Sequence, residues 1–278
     1  MRYRELLRES ERILAAAGVP DPAIDAWYLL ERISGMTRAQ YYMREGETVP
    51  EETARQMQDW VALRADRVPL QHILGDTEFM GLPFLVNRHV LVPRQDTEIL
   101  VEEALAWAAK RPLRALDVGT GSGCIAVSLA CLGNFASVTA VDLSPEALIV
   151  ARENAERNGA QVRFVVSDLL HALRGETYDL IVSNPPYIPS GEIAGLMPEV
   201  RDHDPRIALD GGPDGLACYR RLVREAWEHL APGGRLMMEI GSAQARAVRG
   251  LLEEAGYGCC AVYRDLAGRD RVTAGTKE

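Results

Sequence analysis

Apolar side chains recur at helical spacing from the start of the chain. Tyr3, Leu6, Leu7, Ser10, Ile13, Leu14 and Ala17 share one face of a run over 2–17, and Gly18 with Pro20 ends it. Further helical patterns follow at 22–34, stopped by Gly35, at 37–44, and at 51–67, where Met57, Trp60, Val61 and Arg64 fall on one face. The first quarter of the chain, 1–75, is therefore predicted to be a small helical bundle. Beyond it the period shortens. Phe79, Leu82, Phe84, Val86, Val90 and Val92, broken by Gly81-Leu82-Pro83 and by Asn87-Arg88, predict a β-hairpin linker over 76–95.

From 96 to 278 helical and strand patterns alternate. Leu113–Val118, Val138–Asp142, Val162–Val166 and Tyr178–Ser183 are short apolar runs, and helical patterns at 123–131 and 145–158 separate the first three. Strands that are apolar throughout and alternate with helices predict a parallel sheet covered on both faces, an α/β fold. Arg235–Ile240 adds a strand, and Gly258–Tyr263 with Arg271–Ala274 lie close enough in sequence to pair as antiparallel neighbours.

Composition narrows the function classes. With 47% hydrophobic and 26% charged residues the chain reads as an ordinary globular protein, and no apolar run approaches the roughly 20 residues of a membrane span. The opening Met1-Arg-Tyr-Arg-Glu lacks the apolar core of a secretory signal, so a cytoplasmic location and no membrane partner are expected. Cys124, Cys131, Cys218, Cys259 and Cys260 show neither a CxxC pair nor zinc spacing, and are expected to be reduced, with no metal. His72, His89, His171, His203 and His229 are scattered without ligand spacing and read as surface or structural. The net charge of −9 is a poor footprint for a phosphate backbone, and the bundle carries ten Arg, no Lys and twelve acidic residues, close to neutral. Direct nucleic-acid binding is disfavoured.

Three turns carry candidate chemistry. After the first strand of the alternating region comes Gly119-Thr120-Gly121-Ser122-Gly123, where glycines at alternate positions permit a sharp turn and close approach to a ligand. Cys124 occupies the sixth position of G-x-G-x-x-G, where a dinucleotide fingerprint needs glycine, so a dehydrogenase is disfavoured. At the end of the second strand, Asp142 stands where a carboxylate can accept hydrogen bonds from both hydroxyls of a ribose, although Ser144 and Pro145 leave a helix-capping role open. After the third strand, Asp168 could accept from an adenine amino group, or be a plain loop carboxylate.

The fourth strand runs into Asn184-Pro185-Pro186-Tyr187. A planar amide or amino nitrogen is a poor nucleophile because its lone pair is delocalised, so it must be held in line with the methyl group it attacks. Asn184 Oδ1 and the Pro185 carbonyl can each accept one N–H, the two prolines stiffen the turn, and Tyr187 offers a flat face for a planar substrate. A sulfonium donor leaves as a neutral thioether, which removes the need for a strong base.

Taken together, Gly119–Gly123, Asp142 and Asn184–Tyr187 resemble a class I methyltransferase that modifies planar nitrogens. The helical N-terminal region, Leu91–Glu98 and Leu209–Leu216 with Tyr219 are similar to the release factor glutamine methyltransferase family, known as PrmC or HemK, over essentially the whole chain. The resemblance implies a Rossmann-like sheet of seven strands and S-adenosylmethionine as cofactor. It also implies methylation of the side-chain amide nitrogen (N5) of the glutamine in the Gly-Gly-Gln loop of class 1 peptide chain release factors. Cofactor binding would fall to Gly119, Thr120, Gly121, Ser122, Gly123, Asp142, Asp168, Leu169 and Asn184, substrate binding to Asn184, Pro185, Pro186 and Tyr187, and catalysis to Asn184, Pro185 and Tyr187. Two positions depart from the family pattern: Gln95 replaces a common proline, and Leu169 stands where some members carry an aromatic near the adenine. Two alternatives stay open, an adenine-N6 or cytosine-N4 nucleic-acid methyltransferase and a silent scaffold that binds a translation factor. The chain is expected to divide into a recognition bundle (1–75), the hairpin linker (76–95) and a catalytic domain (96–278).

Overall fold

The computed structural model describes residues 1–109 and 111–278. Its compact units are 1–75 with 197–203, and 76–196 with 204–278. In the smaller unit the predicted runs form α1 (Tyr3–Ala16), α2 (Pro22–Ser34), α3 (Arg38–Arg44) and α4 (Glu51–Ala65), followed by a short α5 (Leu70–Leu74) that is too brief to leave a periodic signal. Thr37 caps α3, accepting from the Gln40 N–H while the Gln40 side chain returns to Thr37 N, which is why the chain can restart a helix three residues after Gly35. Leu14, Leu29, Leu30 and Met57 are fully buried at the centre. Arg64, itself buried, pairs with Asp25 at 2.7 Å and with Glu199 at 2.9 Å, which ties the 197–203 segment to this bundle.

The larger unit opens with the hairpin β1 (Asp76–Phe79) and β2 (Leu82–Leu85) and continues through α6 (Gln95–Ala108), β3 (Arg114–Val118), α7 (Cys124–Leu132), β4 (Ser137–Asp142), α8 (Pro145–Arg157), β5 (Val162–Val166) and β6 (Tyr178–Ser183). Two one-turn helices, α9 (Pro198–Arg201, part of the smaller unit) and α10 (Arg206–Leu209), precede α11 (Ala217–His229), β7 (Leu230–Glu239), α12 (Ala245–Glu254), β8 (Gly258–Arg264) and β9 (Asp270–Thr276). The seven strands β3–β9 form one sheet in the order β5-β4-β3-β6-β7-β9-β8, with the first five parallel and β9 antiparallel to both its neighbours. The chain lays β4 and β5 outward on one side of β3, then returns to place β6 on the other. That reversal opens a crevice at the carboxyl ends of β3 and β6, the place where open α/β sheets bind ligands.

Period-2 alternation assigns the two faces. Ala115 of β3 joins the core under α6 and α7, while Leu116 and Val118 join the core under α11 and α12. Two differences from the pattern have physical causes. β7 begins five residues before the predicted start, because a register shift between Tyr178 and Leu180 of β6 lets the Pro232-Gly233-Gly234 segment stay in the ladder. Helices α11 and α12 lie outside the predicted elements, although Tyr219, Leu222, Val223 and Ala226 form a buried stripe at helical spacing. Among the described residues no helix is long and apolar enough to cross a membrane, and no cysteine is in a disulfide.

Candidate active site

A cavity of about 610 Å³ lies at the carboxyl edge of the sheet, and its wall is drawn from the turns after β3, β4, β5 and β6 together with the segment leading into α6. Gly119, Gly121 and Gly123 all take left-handed backbone angles (φ 74°, 55° and 82°) that strain any other residue. Their reasons differ. A Cβ on Gly119 or Gly121 would meet nothing within 4 Å, so these two leave open space, whereas one on Gly123 would stand 3.0 Å from the Ala151 Cβ of α8. The third glycine therefore serves the packing of α7 on α8.

The N–H groups of this turn are largely committed inside the protein. Gly119 and Thr120 both donate to the Val141 carbonyl, and Gly123 donates to the Thr120 carbonyl. Gly121 donates to Asp142 Oδ2 at 2.8 Å. Beneath the turn Asp117 is fully buried. Its Oδ2 accepts from the Thr120 hydroxyl at 2.6 Å and from the Ala126 N–H at 3.2 Å. A carboxylate thus already occupies the positive N-terminus of α7, which leaves that helix end unsuited to a pyrophosphate. Burial pushes Asp117 up to about 7 despite those two hydrogen bonds, and its Oδ1 has no hydrogen-bond partner. Neutral glycine faces over a buried acid suit a nucleoside that carries positive charge and no phosphate.

Asp142 sits on the cavity wall at the end of β4. Besides Gly121 it accepts from the Ser144 N–H at 2.9 Å, one bond per oxygen, and each oxygen keeps acceptor capacity for a ligand hydroxyl. The capping of α8 belongs to Ser144, whose hydroxyl accepts from Ala147 N. Burial raises the Asp142 pKa above the usual carboxylate value, against the lowering from its backbone donors. Asp168 and Leu169 also line the cavity. The Asp168 carboxylate is half-exposed and pairs with Arg221 at 3.0 Å, and Leu169 holds a φ of 46°, unusual for a branched side chain at a loop.

Asn184 and Pro186 reach the cavity wall, and Pro185 and Tyr187 are not among its lining residues. Pro185 is buried. Tyr187 packs against the α11 and α12 core, its hydroxyl 3.4 Å from Glu239 Oε1, instead of presenting its ring to the cavity. Asn184 Nδ2 donates to Thr97 Oγ1 at 3.1 Å, and Thr97 Oγ1 donates to Glu239 Oε2 at 2.6 Å. Burial pushes Glu239 up to about 7. The same turn is clamped from behind: a Cβ on Gly211 would stand 2.8 Å from the Pro186 carbonyl, and one on Gly215 2.4 Å from the Tyr187 carbonyl. Gln244 Nε2 donates to that Tyr187 carbonyl at 2.9 Å.

Sequence reasoning singled out the residues at strand ends and missed Asp117, Thr97, Glu239 and His89, the last of which lines the cavity although it reads as structural. An acid two residues before the first glycine was a usable signal for Asp117. Thr97 lies in the Leu91–Glu98 stretch that carried the resemblance, but nothing in the sequence pairs it with Glu239, 142 positions away.

Residues 5–75 match the family described as PrmC N-terminal domain, and residues 95–196 match the methyltransferase small domain. The release factor glutamine methyltransferase of Geobacter sulfurreducens is 44% identical over 272 residues, covering 98% of this chain and 95% of that protein. The protein of the same description from Cereibacter sphaeroides is 45% identical over 277 residues, covering 99% and 98%. Among solved structures, a methyltransferase from Pyrococcus furiosus shares the fold with a TM-score of 0.55 at 23% identity, over 72% of this chain and 90% of that one.

Proposed function

This chain belongs to the release factor glutamine methyltransferase family, and from that premise we infer that it methylates the side-chain amide nitrogen of the glutamine in the Gly-Gly-Gln loop of peptide chain release factors, with S-adenosylmethionine as donor. The observation that carries the reading is the shared cavity of Asn184, Asp142 and the open glycine turn. One wall is suited to a charged nucleoside and the other to a planar amide.

The residues present fit the cofactor. Asp142 offers two acceptors spaced for a pair of hydroxyls, and Gly119 and Gly121 leave room that a Cβ would take. Leu169 and Leu143 supply aliphatic surface for a flat base, and Asp168 stands beside them. When bound, the cofactor supplies an electrophilic methyl group on sulfur. The chain's own task is positioning. Asn184 Nδ2 is engaged by Thr97, which leaves Oδ1 free to accept an N–H of the substrate amide, and the second acceptor we assign is the Pro185 carbonyl of the same turn, although Pro185 itself is buried behind the cavity wall. With its hydrogens so held, the nitrogen lone pair is aimed along one line, and orientation of this kind accounts for most of what the site contributes. No acid–base residue is needed before attack, and the proton lost afterwards can pass to solvent.

The near-neutral helical bundle is the part we assign to docking the release factor, with no direct role for nucleic acid or membrane. Labelled S-adenosylmethionine offered with purified release factor, DNA and RNA in parallel tests the reading. Label is expected on the glutamine of the release factor alone. Efficient labelling of DNA or RNA amino groups would replace it with a nucleic-acid methyltransferase.

A further inference from the structure

The Asn184 amide is nearly symmetric in shape and can present either its oxygen or its NH₂ to the cavity. Only the oxygen serves an acceptor role toward a substrate N–H. Something must choose, and the choice is built into the Thr97 hydroxyl, which has one proton to give. That hydroxyl lies 2.6 Å from Glu239 Oε2 and 3.1 Å from Asn184 Nδ2. While Glu239 is ionised it can only accept, so the Thr97 proton goes to the carboxylate and Thr97 must itself accept from Asn184. An acceptor there demands the NH₂ end of the amide and leaves Oδ1 on the opposite side. If Glu239 carries a proton on Oε2 it donates to Thr97 instead, the Thr97 proton becomes free for Asn184 Oδ1, and the rule is lost.

We propose that Thr97 and Glu239 are positioning residues that select the amide orientation of Asn184, so that the acceptor oxygen faces the substrate only while Glu239 is ionised. This rests on the function inferred above, because the required orientation is set by an N–H-bearing substrate. Both residues are 2% exposed, which limits water as a competing partner even though Thr97 touches the cavity. The carboxylate is held at two points and the main chain of the same residue at a third. Its second oxygen is within reach of the Tyr187 hydroxyl at 3.4 Å, and the Tyr219 hydroxyl donates to the Glu239 carbonyl at 2.8 Å, fixing the end of β7. The charged and titratable groups facing it are Arg271 on β9, Asp96 on α6, Cys124 on α7, Tyr187 and Tyr219. Arg271 favours the ionised form, Asp96 opposes it, and burial outweighs both, which brings the ionisation up to about 7. The switch therefore falls where enzymes work.

The release factor reaction is measured at saturating substrate on both sides of neutrality, with wild type, Thr97→Val, Thr97→Ser and Glu239→Gln. In the wild type kcat is expected to fall on the acid side with an apparent pKa near neutrality. Glu239→Gln should lose that acid limb, because a carboxamide can both donate to and accept from Thr97 at every pH. Thr97→Val should lower kcat by about tenfold or more, as for the loss of one hydrogen bond to a preorganised group, while the cofactor Kd moves by less than about twofold. Thr97→Ser, which keeps the hydroxyl, should stay within about threefold of wild type. A second readout needs no turnover: the side-chain NH₂ resonances of Asn184, assigned by their loss in Asn184→Ala, should titrate with the same pKa and stop doing so in Glu239→Gln. Wild type that fails to methylate a release factor while those resonances titrate defeats the substrate reading and leaves the orientation device standing. Thr97→Val with wild-type kcat and pH profile, equal losses in Thr97→Val and Thr97→Ser, or resonances indifferent to pH would overturn the proposal. Should Glu239→Gln not fold, the wild-type titration and the Thr97 pair still decide it.

Discussion

Asn184 is the residue to which the proposed reading gives the chemistry. In that reading its Oδ1 meets the amide whose nitrogen gains a bond to the methyl carbon, so its contribution grows from ground state to transition state. Asn184→Ala is expected to lower kcat by about 10²–10³, roughly 2.7–4 kcal/mol, while cofactor affinity and melting temperature stay near wild type. Turnover within about threefold of wild type would remove Asn184 from the reaction. Asp142 is assigned to the cofactor instead. Losing hydrogen bonds to a charged acceptor should weaken binding of S-adenosylmethionine by about 1.5–3 kcal/mol, roughly ten- to a hundredfold, in Asp142→Ala. Because burial raises the Asp142 pKa, protonation begins at a higher pH than for an ordinary carboxylate. Affinity in the wild type should therefore fall as pH drops through that raised value, and titration calorimetry on Asp142→Ala should find this limb gone. That both residues would lie on one cavity wall was legible in the sequence, because each stands at the carboxyl end of a strand, where open α/β sheets bind ligands. The Thr97–Glu239 pair behind Asn184 was not. Thr97 lies in the first turn of α6 and Glu239 at the end of β7, and only the folded sheet brings them to 2.6 Å. Tyr187 was legible as a functional aromatic, yet its ring lies in the core with its hydroxyl toward Glu239, since the carboxylate needs that donor.

At the level of elements, the glycine turn separates packing from binding. The sequence offered three alternate glycines with one explanation, a tight turn beside a ligand. The structure divides them. Gly123 has the Ala151 Cβ and Cα at 3.0 and 3.2 Å from where its own Cβ would stand, so Gly123→Ala must push α7 and α8 apart. Overpacking of this kind costs about 1–3 kcal/mol, and the left-handed φ of 82° adds about 1–2 kcal/mol. Gly119 has the same kind of backbone strain at φ 74° with open space around it. Gly119→Ala should therefore lose only the strain energy in stability and show its main effect on cofactor affinity, because the new methyl group enters the cavity. Thermal unfolding and cofactor titration of the two variants side by side check this, and equal losses of melting temperature would refute the division. The same spacing logic explains why the Leu209–Leu216 segment looked like a motif without a role. Gly211 and Gly215 are needed because the Asn184–Tyr187 turn passes too close for a Cβ. That is a contact between segments and leaves no mark in local periodicity.

For the whole molecule the question is how a large protein substrate is chosen by an enzyme that modifies a single side chain. The catalytic sheet can recognise the glutamine and its planar amide, which gives little discrimination among glutamines. Further selectivity must come from surface elsewhere, and the helical bundle has the character for it: close to neutral, with Tyr42 and Met43 exposed at 64% and 77% near the end of α3. Tyr42 is not itself part of the core. It meets Tyr41 edge-on at 5.5 Å, and Tyr41 in turn packs on Trp27, so the exposed pair rests on a rigid aromatic base. Rigid aromatics and methionine on a firm support are the residues that dominate protein interfaces. Replacing both by aspartate, Tyr42→Asp with Met43→Asp, should leave cofactor affinity, melting temperature and methylation of a short peptide bearing the Gly-Gly-Gln loop near wild type. For the intact release factor KM should rise by about tenfold or more, equivalent to about 1.4 kcal/mol, with kcat little changed. The peptide is the control that separates docking from chemistry, since it carries the glutamine loop and little else of the release factor. A KM that rises equally for peptide and protein would mean that the substitutions disturb the fold, and an unchanged KM for the intact factor would move the docking surface away from α3.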